Sequence, residues 1–444
     1  MDKTIIWMET TREKQWRANT PEQIQGGVEN LKVTHSTERI IDGFGSCFNE
    51  LGLKAIDNLS ESERNQVLDA LFNVDGHCRF TLCRIPIGAS DYALEWYSHN
   101  ETDGDYEMKD FSIQRDQRYL IPYIKEALKR NPNIQFLASP WSPPTWMKYP
   151  KAYNFGTLRW ENKVLKAYAL YLVKFIQAYE KEGIIINQIH IQNEVVADQK
   201  FPSCKWTGEK LQVFIRDYLG PTLEAHGLKT EIWLGTINAP EPFNELAENE
   251  LGDFDSYAGL VLSDPEAYKY ITGVGYQWAG KYVIQNTVRS YPELKYLQTE
   301  NECGNGKNTW EYAHYVYKLF HHYFINGVNG YLYWNAVLEL EGESTWGWKQ
   351  NSMITVNPKM KNFTFNPEFY VMKHFSHYVQ KGAVRLETDG PFSGNAVVFK
   401  NPDDSIVIII ANPLNKLRSL QISINHKTYA FELKGSSFNT IVVK

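Results

Sequence analysis

The sequence predicts an α/β fold: a closed (β/α)8 TIM barrel with a side β-sandwich built from the N- and C-terminal segments. Three observations predict it. Eight short apolar runs recur between residues 39 and 336, and amphipathic helical stretches separate them. After about residue 380 the pattern changes to short alternating segments rich in Val and Ile. Parallel strands buried on both faces read as continuous apolar runs, whereas half-exposed antiparallel strands alternate. A chain of 444 residues is long enough for a barrel and a small accessory domain.

Taken in order, residues 3–8 and 31–37 are strand-like and precede the barrel. They are expected to pair with the C-terminal sandwich. The barrel strands are expected at 39–48, 79–87, 134–140, 184–192, 231–237, 271–278, 294–300 and 330–336. Helices are expected at 61–73, 114–130, 159–181, 208–227, 280–290 and 308–326. Ser60 followed by Glu63 reads as a capping box for the first of these. The stretch 159–181 carries Leu165, Tyr168, Ala169, Leu172, Val173 and Ile176 at helical spacing. An open doubly wound sheet is the structural alternative, but no G-x-G-x-x-G follows the first strand. Segments 383–387, 395–400, 405–411, 417–424, 428–433 and 438–443 are separated by turn signals and read as an antiparallel sandwich. The expected organisation is residues 1–38 as sandwich strands, 39–379 as the barrel and 380–444 as the rest of the sandwich.

Net charge is −6 and the pI about 6.0, which argues against nucleic acid or an anionic membrane as the main partner. The 13 Trp, 27 Tyr and 22 Phe are many. Most belong in a core, but a pyranose also packs its apolar C–H face on aromatic rings. Five cysteines (Cys47, Cys78, Cys83, Cys204 and Cys303) form no Cys-x-x-Cys pair, and the N-terminus has no apolar signal region. These features predict a cytoplasmic protein with reduced thiols, or a secreted one if a leader has been removed. No run is apolar over ~18 residues, as a membrane span requires. Neither His-x-His nor His-Glu-x-x-His occurs, so His190, His321 and His322 read as structural, and no metal or cofactor is expected.

Barrel enzymes place their chemistry at the C-terminal ends of strands. Two expected strands run into carboxylates there: the fourth into Gln192-Asn193-Glu194 and the seventh into Thr299-Glu300-Asn301. A lone acidic strand end can simply face water, and a pair on one rim favours function. Glycoside cleavage uses such a pair. One carboxyl protonates the leaving oxygen and the other meets the anomeric carbon. A separation of ~5–5.5 Å gives a covalent intermediate and retention, and ~6.5–9.5 Å admits water and gives inversion. Asn193 beside Glu194 suits a hydrogen bond to the sugar 2-hydroxyl.

Further segments carry a family likeness: Ile41-Asp42-Gly43-Phe44-Gly45, Cys83-Arg84-Ile85-Pro86-Ile87-Gly88, Asp110-Phe111-Ser112, the stretch ASPWSPPTWMK over 138–148, Gln192-Asn193-Glu194, Thr299-Glu300, Tyr333-Trp334-Asn335 and NPEFYVMKHF over 366–375. In order and spacing, from about residue 40 to the C-terminus, the chain resembles glycoside hydrolase family 30. That group includes lysosomal glucosylceramidase and bacterial xylanases and β-1,6-glucanases. The resemblance implies a retaining enzyme with Glu194 as acid/base and Glu300 as nucleophile, and it disfavours the nearby Glu302. It nominates Asp110 as a carboxylate holding sugar hydroxyls, with an N-terminal charge for the helix at 114–130 as the alternative, and Trp141 and Trp334 as aromatic platforms, with core packing as the alternative for both rings. Arg84 is placed to pair with a catalytic carboxylate or to form a purely structural ion pair.

One departure stands out. Where glucosylceramidase has His-Trp-Tyr after strand six, this chain has Tyr276-Gln277-Trp278-Ala279. Trp278 then aligns with the family tryptophan, and Tyr276 is nominated to supply a hydroxyl to the nucleophile. The expected substrate is a small β-glycoside or oligosaccharide, preferably a β-glucoside, 1,6-linked forms included. A β-xylosidase or xylanase is the alternative within the family, and a non-catalytic carbohydrate-binding barrel the alternative outside it. The loops 91–110 and 338–349 are expected to set sugar and chain length.

Overall fold

The computed structural model describes residues 4–239 and 254–444. Lys3, the first residue of the strand expected at 3–8, lies outside them. Eight parallel strands close into a barrel: Gly43–Cys47, Leu82–Ile87, Gln135–Pro140, Ile186–His190, Glu231–Ile237, Ile271–Gln277, Lys295–Glu300 and Gly330–Asn335. Each lies within an expected apolar run. The last strand pairs with the first, Gly330 opposite Gly43 and Tyr331 opposite Phe44, so the barrel has no free edge.

Leu82, Leu137, Trp233, Leu297 and Leu332 form a separate buried cluster contributed by barrel strands two, three, five, seven and eight. Trp233 stacks on His190 with ring centroids 5.4 Å apart. Room for these two rings comes from strand six. A Cβ on Gly273 would stand 2.6 Å from the Trp233 ring, and one on Gly275 would stand 2.7 Å from His190. The two glycines are the negative image of two large side chains, since a packed barrel interior leaves no spare volume.

The helices follow the sequence with instructive exceptions. Ser60 caps Glu61–Phe72 in a reciprocal capping box with Glu63. The helix expected over 114–130 is two, Gln114–Arg118 and Leu120–Arg130. Pro122 explains the break, because its ring conflicts with the carbonyl four residues earlier and it has no N–H to return. Pro221 does the same over 208–227, where a π turn at Ile215–Leu219 separates two α-helical pieces. Helices Glu50–Asp57 and Pro367–Ser376 were not expected as elements.

The sandwich draws on both chain ends. One seven-stranded sheet has the order Arg17–Asn19, Ile5–Thr10, Ser437–Val443, Ile406–Asn412, Ala396–Lys400, Val384–Asp389, Lys32–Ile40. A three-stranded sheet holds Arg418–Ile424, Lys427–Leu433 and Glu22–Ile24. Trp7, Leu386, Val398, Ile408, Ile410, Leu420, Phe431 and Ile441 are among the residues that form its core. The sheet is tied to the barrel through His374 on helix Pro367–Ser376, whose ring nitrogens meet Thr440 at 2.8 Å and Thr10 at 2.9 Å. No helix among the described residues is long and apolar enough to cross a membrane.

Candidate active site

Arg84 organises the C-terminal rim of the barrel. It projects from strand two and is completely buried. An isolated buried guanidinium is prohibitively costly, so its donors have to be satisfied. Its Nη1 donates to Glu300 Oε2 at 2.8 Å, and its Nη2 to Asn193 Oδ1 at 2.6 Å. Nε and Nη2 both reach Ser139 Oγ, at 3.0 and 2.9 Å. Beneath it lie Trp141, with the guanidinium carbon 4.5 Å from the ring centroid, and Trp334 at 5.8 Å. These two indoles stack on each other at 5.3 Å.

Glu300 ends strand seven, as the sequence indicated. Its second oxygen accepts from Trp278 Nε1 at 3.1 Å. Burial pushes its pKa up, and the Arg84 charge with the Trp278 and Arg84 hydrogen bonds opposes that rise. Glu194 lies four residues past the end of strand four at His190. It has a left-handed backbone (φ 53°), and its N–H donates to Thr236 Oγ1 at 3.0 Å. Its pKa is raised well above the usual carboxylate range, first by burial and then by the charges of Glu300 and Asp91. The two carboxyls are therefore electrostatic neighbours and titrate as a pair. Arg84 bonds Glu300 directly and, among the described residues, Glu194 has no cationic partner at that distance, so the shared proton belongs on Glu194.

Gln277 joins the two acids. Its Oε1 accepts from Thr299 Oγ1 at 2.9 Å and Arg84 Nη1 at 3.3 Å, which fixes the orientation of the amide. Its Nε2 then donates to Asn193 Oδ1 at 3.2 Å. Hydrogen bonding from Gln277 also stabilises the charged forms of both Glu194 and Glu300.

The remaining expectations divide. Asn193 and Trp278 are brought to the pair. Trp141 and Trp334 are there too, but each is only 1 % exposed, so they form a floor under Arg84 rather than open platforms. Asp110 is a correction: it is exposed on its loop, where its backbone N–H donates to Asp105. Tyr276 is another: its ring is buried and its hydroxyl bonds Thr287, away from Glu300. Trp278 makes the contact to the carboxylate expected of Tyr276. Glu302 points elsewhere, to Lys281 at 2.5 Å and to the Tyr315 hydroxyl.

Asp91 is the acid the sequence reading missed. It is 5 % exposed, and burial, with the charge of Glu300 adding to it, pushes its pKa up to about 8. A positional signal existed. Asp91 lies four residues past Ile87, the end of strand two, just as Glu194 lies four past His190.

Glu194 opens onto a pocket of about 680 Å³, lined also by Phe201, Trp278, Trp346 and Trp348. A somewhat larger cavity, about 750 Å³, opens where the strands begin, beside Asp42, Gln135, Glu231 and Lys295. It lies at the end of a barrel that serves stability rather than chemistry. Among the described residues, no group of three or more His, Cys, Asp or Glu side chains is arranged to hold a metal ion.

The model of the glycosyl hydrolase family 30 TIM-barrel domain matches residues 41–379, and that of the family 30 β-sandwich domain matches 382–441. The chain belongs to glycoside hydrolase family 30. Its relatives include the lysosomal acid glucosylceramidase of Mus musculus, 27% identical over 86% of this chain and 77% of that protein. An endo-1,6-β-D-glucanase of Trichoderma harzianum is 28% identical over 84% of this chain and 77% of its own length. The crystal structure of SrfJ from Salmonella typhimurium superposes with a TM-score of 0.87 at 27% identity, covering 99% of both chains. The family 30 chain described here is thus a retaining β-glycoside hydrolase.

Proposed function

We propose that the chain hydrolyses β-glucosides, 1,6-linked ones included, by double displacement, with Glu300 as nucleophile and Glu194 as general acid/base. One observation carries the division of labour: Arg84 and Trp278 hold Glu300 as an oriented anion, while no such clamp among the described residues holds Glu194, which keeps the proton. Glu300 attacks the anomeric carbon as Glu194 protonates the departing oxygen. In the second half Glu194, now a base, takes a proton from the water that releases the sugar. Its pKa falls once Glu300 is esterified, because one of the charges that raised it is gone. Asn193, its Oδ1 engaged by Arg84 and Gln277, has its amide nitrogen left to donate to the sugar 2-hydroxyl. Asp91, buried and in electrostatic contact with Glu194, is assigned to further sugar hydroxyls. The names of the mammalian and fungal relatives support a glucoside as the substrate. Five buried, unpaired cysteines support a reducing, cytoplasmic setting.

The test is a nitrophenyl β-glucoside. Wild type should release nitrophenol and Glu300→Ala should not, with azide restoring turnover and giving the α-glucosyl azide. Glu194→Ala should lose about 10²–10⁴-fold on substrates with poor leaving groups. Full activity in Glu300→Ala would overturn the assignment.

A further inference from the structure

The pocket beside Glu194 has a lining that the catalytic step does not require. Four aromatic rings follow one another along its wall. Trp278 lies 5.9 Å from Trp348, Trp348 5.5 Å from Trp346, and Trp346 5.4 Å from Phe201. The three indoles are each partly exposed to the pocket. Aromatic surface left open in a cluster has a use, since burying it within the protein would be favourable. The loop that presents Trp346 and Trp348 is held in place. The Tyr92 hydroxyl donates to the carbonyls of Gly342 at 2.7 Å and Trp348 at 3.3 Å, and the Trp348 N–H donates to Ser344 Oγ at 3.0 Å. The rings therefore stand ready before any ligand arrives.

The catalytic carboxyls divide across this pocket. Glu194 lines it, and Glu300, Asp91 and Arg84 do not. An acid that protonates the leaving oxygen faces the leaving group, so the open aromatic space lies on the leaving-group side. We infer that this pocket is a leaving-group subsite for a neutral pyranose, with Trp346 and Trp348 as its stacking walls. The inference rests on the proposed role of Glu194 and adds the class of the departing group.

The chemistry of the lining selects among leaving groups. Gln199 and Asn238 add amides to the wall, and Trp346 Nε1, shielded from bulk water, has no hydrogen-bond partner among the described residues. An alkyl chain would cover these polar groups without pairing them, which carries a desolvation cost. A sugar ring offers a C–H face to the indoles and hydroxyls to the amides and the indole N–H. Among the described residues that line the pocket, Glu194 is the single ionisable one. With no lysine or arginine among those described residues, an acidic sugar would meet no counter-charge there, so the ring is neutral.

The experiment compares β-glucosyl fluoride, whose leaving group has no ring, with a β-1,6-linked glucose disaccharide and octyl β-glucoside. In Trp346→Ala the ratio of kcat/KM for the disaccharide to that for the fluoride should fall about 3- to 10-fold, the range for one aromatic contact. Trp346→Phe should recover part of that ratio and thereby separate stacking from loop damage. An unchanged ratio in Trp346→Ala overturns the inference. So does a wild-type preference for octyl glucoside over the disaccharide that Trp346→Ala abolishes. Failure of wild type to turn over the fluoride at all instead strikes at the hydrolase reading beneath it.

Discussion

Arg84 is the side chain on which the electrostatics of the site turn. It satisfies Glu300, Asn193 and Ser139 at once, and no other residue type offers five donors in that planar fork. Arg84→Met would leave Glu300 buried without its cation, and its pKa would rise further. With Glu300 as nucleophile, its protonation ends activity, so the acid limb of the kcat/KM profile should move to higher pH. The fold should also lose about 3–5 kcal/mol, the usual cost of stranding one member of a buried pair, read by urea denaturation. Asp91 predicts a different titration. Its folded pKa, about 8, lies above its unfolded value, so the folded state holds a proton that the unfolded state has released. Its contribution to stability is therefore favourable at low pH and falls as pH rises from about 4 to about 8. Asp91→Asn should raise Tm at pH 8 relative to wild type, flatten that pH dependence, and still impair sugar turnover. A Tm at pH 8 equal to or below wild type would contradict this. At this scale the sequence displayed Glu300, which ends an apolar strand, and hid Asp91, which looks like any loop acid until strand two is seen to stop at Ile87. Asp110 was nominated because Asp-Phe-Ser reads as a motif, but only the path of the loop decides which aspartate turns inward.

At the scale of elements, the eight barrel strands were legible because each is buried on both faces and so carries an unbroken apolar run. Their ends were less so. The fourth run reads through to Gln192, whereas regular pairing stops at His190 and the backbone turns left-handed at Glu194. Hydrophobicity does not register that turn. The helix interruptions were available in principle from Pro122 and Pro221, but amphipathic spacing on both sides concealed them. The complementary fit of strands four, five and six gives a direct prediction. Gly273→Ala places a methyl 2.6 Å from the Trp233 ring and should destabilise the barrel by about 1–3 kcal/mol. Denaturant midpoints would measure it, and a loss within error would mean that the interior has slack the packing does not show.

For the molecule as a whole, the sandwich is closed by both chain ends and linked to the barrel by side-chain contacts. Ile5 pairs with Val443 and Trp7 with Ile441, and Trp7 Nε1 donates to Asn439 at 3.0 Å. His374 then links that sheet to the barrel through Thr10 and Thr440. Removing residues 1–11 should leave Ser437–Val443 with an open edge, lower Tm, and reduce glycosidase activity although no active-site group is touched. Calorimetry should show one transition in the intact protein; two separated transitions would show that the units melt independently. The pairing of chain ends was foreseen from strand-like segments at both termini, but strand order was not, because alternation records which face is buried and not which neighbour a strand takes.

That strand order governs biosynthesis. Ser437–Val443 lies between Ile5–Thr10 and Ile406–Asn412, yet a ribosome makes it after every other strand described. Ile5, Ile6, Trp7 and Met8 therefore leave the exit tunnel with no partner on that side and wait through the elongation of all the barrel residues. During that interval their unpaired edge is expected to be sticky on the nascent polypeptide, and co-expressed chaperones should then raise the yield of folded protein.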